Sequence, residues 1–191
     1  MNPIMKIAAA TAVAALVSSP AAFAAGQGPW NGAYVGGQLQ LNTVSADYVS
    51  TENGLGAAIF GGYQMQFSQH FVLGGDVFYQ YNQAKDHTYP GGKANLGTKG
   101  YGVDVLAGFP VGDTGAWMPY VKVGYGWLSG HGSSSGSSTD SSIRYGAGVA
   151  WKFHQNLSLQ VQYMYQKLGS SNGNLKNNNL SVGVAWHFSA Q

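Results

Sequence analysis

The feature that most constrains this chain is a strict alternation of apolar residues with small or polar ones. In its last segment, Leu180, Val182, Val184, Trp186 and Phe188 are each separated by one small or polar residue. Successive side chains of a β-strand point to opposite faces, so a period of two predicts strands with one apolar face each. No helical period competes with it.

The alternation recurs in eight segments of about ten residues, the length that a tilted strand needs to cross a membrane. These segments are 33–42, 57–67, 71–81, 99–109, 118–128, 143–153, 157–166 and 180–188. Three connections are short (68–70, 110–117 and 154–156), whereas the other four are longer and polar (43–56, 82–98, 129–142 and 167–178). Short turns on one side and long loops on the other are typical of outer-membrane barrels. We therefore predict an all-β fold, an eight-stranded antiparallel transmembrane up-and-down β-barrel.

Composition excludes several other classes of protein. Beyond the N-terminus no run of roughly 20 apolar residues could form a membrane helix. Aromatic residues make up 13% of the chain, which is too many for a disordered protein. The net charge of +2 gives no indication of a nucleic-acid partner. The absence of cysteine excludes disulfides, thiolate metal sites and a lipoprotein anchor.

The N-terminal segment has the pattern of a secretory signal peptide. Lys6 provides the positive charge, residues 7–17 form an apolar core, and Ala22-Phe23-Ala24 matches a small-x-small cleavage site. We predict a cleaved signal peptide at 1–24 and one barrel domain at 25–191.

The aromatic residues indicate which face of the strands meets lipid, because they gather at both ends of the apolar face. The group towards the short turns is Phe67, Phe71, Phe109, Trp151, Phe153, Trp186 and Phe188. The group towards the long loops is Tyr79, Tyr81, Tyr101, Tyr125, Trp127, Tyr145, Tyr163 and Tyr165. Two such girdles are expected at the two interfaces of a membrane band. The apolar face is therefore predicted to face lipid and the glycine-rich polar face to line the lumen.

The two ends of this pattern resemble a known family. WNGAYVGGQLQLN (30–42) and LSVGVAWHF (180–188) are similar to the ends of bacterial outer-membrane β-barrels that include opacity-type surface antigens and small OmpA- and OmpX-type barrels. The resemblance implies an outer-membrane location, with outer-membrane lipid and lipopolysaccharide as surroundings. It also implies the barrel assembly machinery as a partner during biogenesis, with Phe188 as the assembly signal, although three residues follow Phe188 here.

Five charged residues are predicted to face the lumen, namely Asp76, Asp104, Lys122, Arg144 and Lys152. The first three come at similar depth on neighbouring strands, so we expect Lys122 to bridge the two carboxylates. Such a cluster serves as a polar core or, less readily, as a pore gate. An eight-stranded barrel is just wide enough to be filled by its own side chains, and the inward glycines are expected to leave room for water.

The chain offers three functional alternatives. Polar loops such as 82–98 and 43–56 suit adhesion or binding of a host or surface ligand, as in a surface antigen. A partly open lumen would make a small diffusion pore. His131-Gly132-Ser133 with Asp140 resembles the His-x-Ser pair of a lipid A-modifying enzyme. However, it lies in a Gly/Ser-rich loop that cannot hold a nucleophile and a base at fixed positions relative to each other. We predict a structural or surface-antigen barrel that is not an enzyme, with no cofactor or metal site.

Overall fold

The computed structural model describes residues 28–46, 49–82, 87–89, 92–94, 97–131, 139–170 and 173–188. Within them lie ten strands: β1 (Gly32–Ala46), β2 (Val49–Ser68), β3 (Phe71–Asn82), β4 (His87–Tyr89), β5 (Gly92–Ala94), β6 (Gly97–Gly108), β7 (Trp117–His131), β8 (Thr139–His154), β9 (Leu157–Ser170) and β10 (Gly173–Phe188). Eight of them form a closed antiparallel barrel in the order β1-β10-β9-β8-β7-β6-β3-β2. The predicted fold class is confirmed. No helix in the described ranges is long and apolar enough to cross a membrane.

The strands extend further towards the long loops than the alternation predicts. Much of the predicted connections 43–56, 129–142 and 167–178 is strand, and the 82–98 connection holds the separate hairpin β4–β5. Outside a membrane band neither face of a strand has to be apolar. The backbone ladder therefore continues beyond the point where the sequence signal fades.

The barrel has an apolar outer face and a polar lumen, the reverse of a water-soluble sheet. Leu39 and Ile59 are 72% and 65% exposed, whereas the neighbouring Gln40 and Phe60 are 1% and 5% exposed. Closing the sheet pairs the first strand with the last, from Ala33 opposite Phe188 onward. In lipid only such closure satisfies every backbone N–H and C=O of a sheet.

Glycines in the lumen make room for bulky side chains on adjacent strands. A Cβ added to Gly102 would lie 2.6 Å from Phe78 Cζ, and one added to Gly146 would lie 2.6 Å from Met164 Sδ. The expectation that inward glycines leave room for water is therefore wrong at these positions, because neighbouring side chains occupy the space.

Candidate functional site

One cross-strand row of the lumen carries the central charges. Asp76 on β3 is directly opposite Asp104 on β6, which is opposite Gly124 on β7, which is opposite Arg144 on β8. Because Gly124 has no side chain, Arg144 reaches across β7 and places its Nε 3.2 Å from Asp104 Oδ1.

Lys122 lies on β7 and places its Nζ 2.7 Å from Asp76 Oδ2. Each carboxylate thus has its own cation, and the prediction that Lys122 bridges both was wrong. The reason is Gly124, which lies between Asp104 and Arg144 in the row. Because it has no side chain, Arg144 reaches the Asp104 carboxylate. Two negative and two positive charges balance in this cluster, and all four side chains are buried.

Aromatic rings and one phenol complete the charge cluster. Tyr34 donates a hydrogen bond from its hydroxyl to Asp76 Oδ2 at 2.8 Å. The guanidinium of Arg144 lies 3.8 Å from the centre of the Phe78 ring. The Lys122 ammonium lies 5.9 Å from the ring centres of Phe60 and Tyr120. A ring face near a desolvated cation is favourable because of its quadrupole. The cluster is thus a packed polar core rather than a charged lining.

Lys152, the fifth predicted member, does not belong to this cluster. Its ammonium donates a hydrogen bond to the carbonyl oxygen of Pro29 and lies 5.1 Å from the centre of the Trp30 ring. It sits near the short-turn end of β8, two residues before the strand ends at His154. The presence of a charge on the inward face does not predict how deep Lys152 lies in the lumen, because that depth depends on how far each strand is staggered against the next.

Trp30 closes the lumen at the short-turn end. It is 1% exposed, and it donates hydrogen bonds from its indole Nε1 to Gly115 O (2.7 Å) and from its backbone N to Gln66 Oε1 (3.2 Å). It forms an apolar cluster with Val72, Leu106, Met118, Tyr120 and Ala150. Sequence reasoning missed this role, although Trp30 has the even-numbered parity of the lumen-facing residues of β1, such as Tyr34 and Gln40.

Amide side chains also cross the lumen. Gln162 accepts a hydrogen bond from Tyr120 Oη (3.0 Å) and donates one to Gln38 Oε1 (3.0 Å). Nearer the long-loop end, Asn42 donates to Asn82 Oδ1 (2.7 Å) and accepts from Asn179 Nδ2 (2.6 Å). A cavity of about 10 Å³, lined in part by Trp30 and Tyr34, has room for about one water molecule. These layers fill the lumen of the part of the barrel that the structure describes.

A serine–histidine pair also faces the lumen but lacks the surroundings of a catalytic site. Ser158 Oγ lies 2.8 Å from His187 Nε2, and both residues are buried beneath Trp30, whose ring centre is 5.5 Å from that of His187. Among the described contacts of His187, none is with a carboxylate. The side chains of the predicted His131-Gly132-Ser133 and Asp140 lie outside the described residues. Among those that are described, no group of three His, Asp or Glu side chains could hold a metal ion.

The predicted aromatic girdles lie on the outer face at the two barrel ends. Near the short turns, the ring centres of Phe67 and Phe71 are 6.1 Å apart, and those of Phe71 and Phe109 are 5.7 Å apart. Trp151 stacks on Trp117 at 5.4 Å and lies 5.8 Å from Phe153. Trp186 and Phe188 are exposed at the same end. The prediction missed Trp117, although continuing the alternation back from Val121 through Pro119 reaches it.

At the long-loop end the rings of the second girdle also contact one another. Trp127 lies 5.3 Å from Tyr101 and 5.0 Å from Tyr125, and Tyr145 lies 5.3 Å from Tyr165. Tyr79, Tyr81 and Tyr163 are exposed there as well. Aromatic side chains with one apolar and one polar end are favoured at the headgroup level of a membrane.

The closed barrel has an apolar outer band between two aromatic girdles, and polar side chains lie in its lumen. This combination defines an outer-membrane β-barrel. The sequence matches the family model of the outer membrane protein beta-barrel domain over residues 8–188. The chain belongs to this family, which places it in the bacterial outer membrane. No curated protein matches it in sequence.

Solved structures with the same fold include Neisserial surface protein A, at 19% identity and a TM-score of 0.67, covering 82% of this chain and 97% of that one. Ail, the attachment invasion locus protein of Yersinia pestis, is similar at 17% identity and a TM-score of 0.60, covering 83% and 99%. Ail has also been solved with the heparin analogue sucrose octasulfate, at 20% identity and a TM-score of 0.61, covering 82% and 97%. The outer membrane enzyme PagL is similar at 16% identity and a TM-score of 0.50, covering 76% and 97%.

Proposed function

We propose that this protein is a non-conducting surface protein of the outer membrane whose extracellular strands and loops bind a ligand outside the cell. The observation that carries the proposal is the filled lumen. Its four central charges are paired, its apolar clusters are buried, and Trp30 covers the short-turn end. Because the described lumen is lined by packed side chains, recognition is assigned to the long-loop end of the molecule.

At the long-loop end β2, β1, β10 and β9 form a four-stranded sheet that continues beyond the described pairing with β3 and β8. The pairing of β1 with β2 continues to Ala46 opposite Val49, and that of β9 with β10 to Ser170 opposite Gly173. In contrast, the described pairing of β2 with β3 begins at Gly56 opposite Asn82, where the described part of β3 ends. Likewise, the described pairing of β9 with β8 begins at Gln166 opposite Arg144.

Among the described residues, the edges of this sheet at 49–55 of β2 and 167–170 of β9 therefore pair with no further strand. An open edge presents backbone N–H and C=O groups to which an extended partner can add as a further strand. Ail, a similar barrel, has been solved with a heparin analogue, which supports recognition at the outer surface as a role for such a barrel. This arrangement supports the proposed surface-antigen or adhesion role.

Biogenesis completes the proposal. A signal peptide at 1–24 directs the chain across the inner membrane, and the barrel of 25–191 is then inserted by the assembly machinery with Phe188 as its signal. Phe188 is exposed at the end of β10 and opposite Ala33 on β1, at the seam where the barrel closes. Outer-membrane lipid and lipopolysaccharide surround the inserted protein.

The two other functions have less support. A diffusion pore needs a continuous passage, which the buried ion pairs and the Trp30 cluster oppose. A lipid A-modifying enzyme needs an accessible nucleophile, whereas Ser158 beside His187 is 2% exposed. The similarity to PagL concerns the fold. We therefore propose that the protein is not an enzyme.

The test is adhesion of bacteria that display the protein to cultured epithelial cells and to immobilised heparin. Two variants shorten different extracellular connections, one lacking 83–97 and the other lacking 132–138. Resistance of the folded band to unfolding in SDS without boiling confirms that each barrel is intact. Loss of adhesion in one variant but not in the other would support the proposal and locate the binding surface. Adhesion no greater than that of bacteria lacking the protein would contradict it.

A further inference from the structure

Residues 28–31, which we call the N-terminal strap, form a turn that lies across the short-turn end of the lumen. The backbone N of Asn31 donates a hydrogen bond to Gly28 O at 3.1 Å, which closes the turn. Gly32, the first residue of β1, has a φ of 124°, a backbone conformation that residues with a Cβ rarely adopt. This bend turns the chain away from the barrel wall and places Trp30 inside the lumen.

The strap is attached to opposite walls of the barrel. Gln66 on β2 accepts a hydrogen bond from the backbone N of Trp30, and its own backbone N donates one to Asn31 Oδ1. On β8, the Lys152 ammonium donates a hydrogen bond to the carbonyl oxygen of Pro29. In the strand order of the barrel, β2 and β8 are four places apart in either direction, so they are diametrically opposite. The strap therefore crosses the lumen from one wall to the other.

The strap is held by side chains and not by the strand ladder. The ladder of β1 starts after the strap, with Gly32 opposite Gln64 on β2. The hydrogen bonds that join the strap to Gln66, Lys152 and Gly115 each use a side chain of one partner. Segments with few backbone pairings open at a lower free energy than paired strands do. Release of the strap breaks these side-chain contacts and leaves the ladder of the barrel wall intact.

Trp30 occupies a pocket whose lining matches an indole ring. Its Nε1 donates a hydrogen bond to Gly115 O at 2.7 Å. The ring of His187 lies 5.5 Å away in an edge-to-face arrangement, and the Lys152 ammonium lies 5.1 Å from the ring centre. The apolar neighbours of Trp30 are Val72, Leu106, Met118, Tyr120 and Ala150. An apolar slot, an acceptor for the N–H group and a nearby cation are together the features that favour an indole.

The pocket also contains an acceptor that Trp30 does not use. A cavity of about 10 Å³ adjoins Trp30 and is lined in part by Gln64 and Ser158. Gln64 is 4% exposed, and its Oε1 has no hydrogen-bond partner among the described residues. Buried polar atoms of folded proteins nearly always have a partner, so this oxygen indicates a place for a further donor group. The pocket therefore has room and a polar contact beyond those that the strap fills.

We propose that the short-turn end of the lumen is a binding pocket for an indole-type ligand and that the N-terminal strap, hinged at Gly32, is its releasable cover. Trp30 is the resident occupant of this pocket. The ligand is a planar aromatic group with an N–H donor, either a free indole or a tryptophan side chain of another polypeptide. It replaces Trp30 at the Gly115 carbonyl when the strap swings out. Short turns face the periplasm in barrels of this kind, so the ligand comes from that side. The pocket does not depend on the proposed extracellular binding role.

The experiment removes the occupant and supplies indole to the full-length mature protein in phospholipid vesicles. The variant is Trp30→Gly, and the readout is the folding equilibrium constant in a urea titration. A ligand that binds only the folded state should raise this constant roughly tenfold at ten times its dissociation constant. The wild type, whose pocket is occupied, should not respond. Trp117→Gly is the matched control, because Trp117 is exposed on the outer face at the same end of the barrel.

Two further probes define the ligand. 1-Methylindole cannot donate to Gly115 O, so it should bind Trp30→Gly at least roughly fivefold more weakly than indole. A blocked Gly-Pro-Trp-Asn peptide, with the sequence of the strap, identifies the source of the aromatic group. Tighter binding of the peptide than of indole assigns the pocket to a polypeptide, whereas equal binding assigns it to a free indole.

Gly32→Ala tests the cover while leaving Trp30 and the pocket lining in place. Because alanine disfavours a φ of 124°, this variant should release the strap and become sensitive to indole. Gly75→Ala, whose added Cβ would make only an ordinary contact, is the matched control and should behave as the wild type does. A response of Gly32→Ala no greater than that of the wild type would overturn the releasable cover.

The folded yield covers the case in which Trp30→Gly does not fold alone. Refolding of this variant that is restored by indole, and not by 1-methylindole, would support the pocket. If indole changed neither the folding equilibrium constant nor the folded yield of Trp30→Gly, the pocket would be overturned. An equal response of Trp117→Gly would show partition of indole into the membrane and would overturn it as well.

Discussion

Replacing Asp104 by Asn should destabilise the barrel strongly, because it removes the counter-charge of a buried cation. The Arg144 side chain is 6% exposed, that of Asp104 is fully buried, and Arg144 Nε lies 3.2 Å from Asp104 Oδ1. Breaking a buried ion pair by removing one partner costs about 3–5 kcal/mol, since the remaining charge is left without compensation. The other carboxylate of the cluster, Asp76, already pairs with Lys122.

The double substitution Asp104→Leu with Arg144→Met separates the charge effect from the packing effect. It removes both charges and keeps apolar volume beside Phe78, so it should be far less destabilising than Asp104→Asn. The measurement is the free energy of unfolding from a urea titration in phospholipid vesicles, with folded protein scored by its mobility in SDS without boiling. Asp113→Asn, at an exposed turn residue, is the control and should leave the midpoint unchanged. A cost for Asp104→Asn below about 1 kcal/mol, as for an exposed pair, would refute the buried pairing.

Three further changes test the facing and the packing in the same titration. Val184→Arg places a charge on the outer face and should cost about 2–4 kcal/mol at the bilayer midplane; a negligible cost would contradict the lipid-facing assignment. Gly102→Ala crowds the Phe78 ring and should cost about 1–3 kcal/mol. Gly75→Ala should be tolerated, because its added Cβ would make only an ordinary 3.5 Å contact. Equal costs for Gly102→Ala and Gly75→Ala would argue that the lumen glycines are not needed to make room for neighbouring side chains. Trp30→Ala should cost about 3–5 kcal/mol, as for other buried tryptophans, and a smaller loss would mean that Trp30 does not close the lumen.

The sequence predicted the strands and their facing well because the alternation leaves only two choices for each strand. In β10, for example, once Val184 is assigned to lipid, Ser181 and His187 must lie in the lumen. The same pattern does not determine how neighbouring strands are staggered. That is why Asp76 and Asp104 were expected near Lys122, while the partnership of Arg144 with Asp104 was missed.

The remaining differences between the predicted and the observed structure also concern features that the alternation within a strand does not determine. The part of β2 at 49–55 has no alternation of apolar residues in its sequence, so the sequence does not indicate that it is a strand. Trp30 precedes the first predicted strand, and its contacts with distant segments, such as that with Gly115, 85 residues away in sequence, identify it as the closure. Contacts between distant segments form only when the barrel closes, so the sequence pattern of a single strand does not predict them.

The central claim is that this barrel is filled and does not conduct. It is tested most directly by recording the current through planar bilayers into which the mature, refolded protein has been inserted. Insertion is verified by recovering folded protein from the same membrane. We expect no discrete openings above the background of the bilayer. Reproducible single-channel openings, absent from bilayers without protein, would contradict the account and identify the protein as a small diffusion pore.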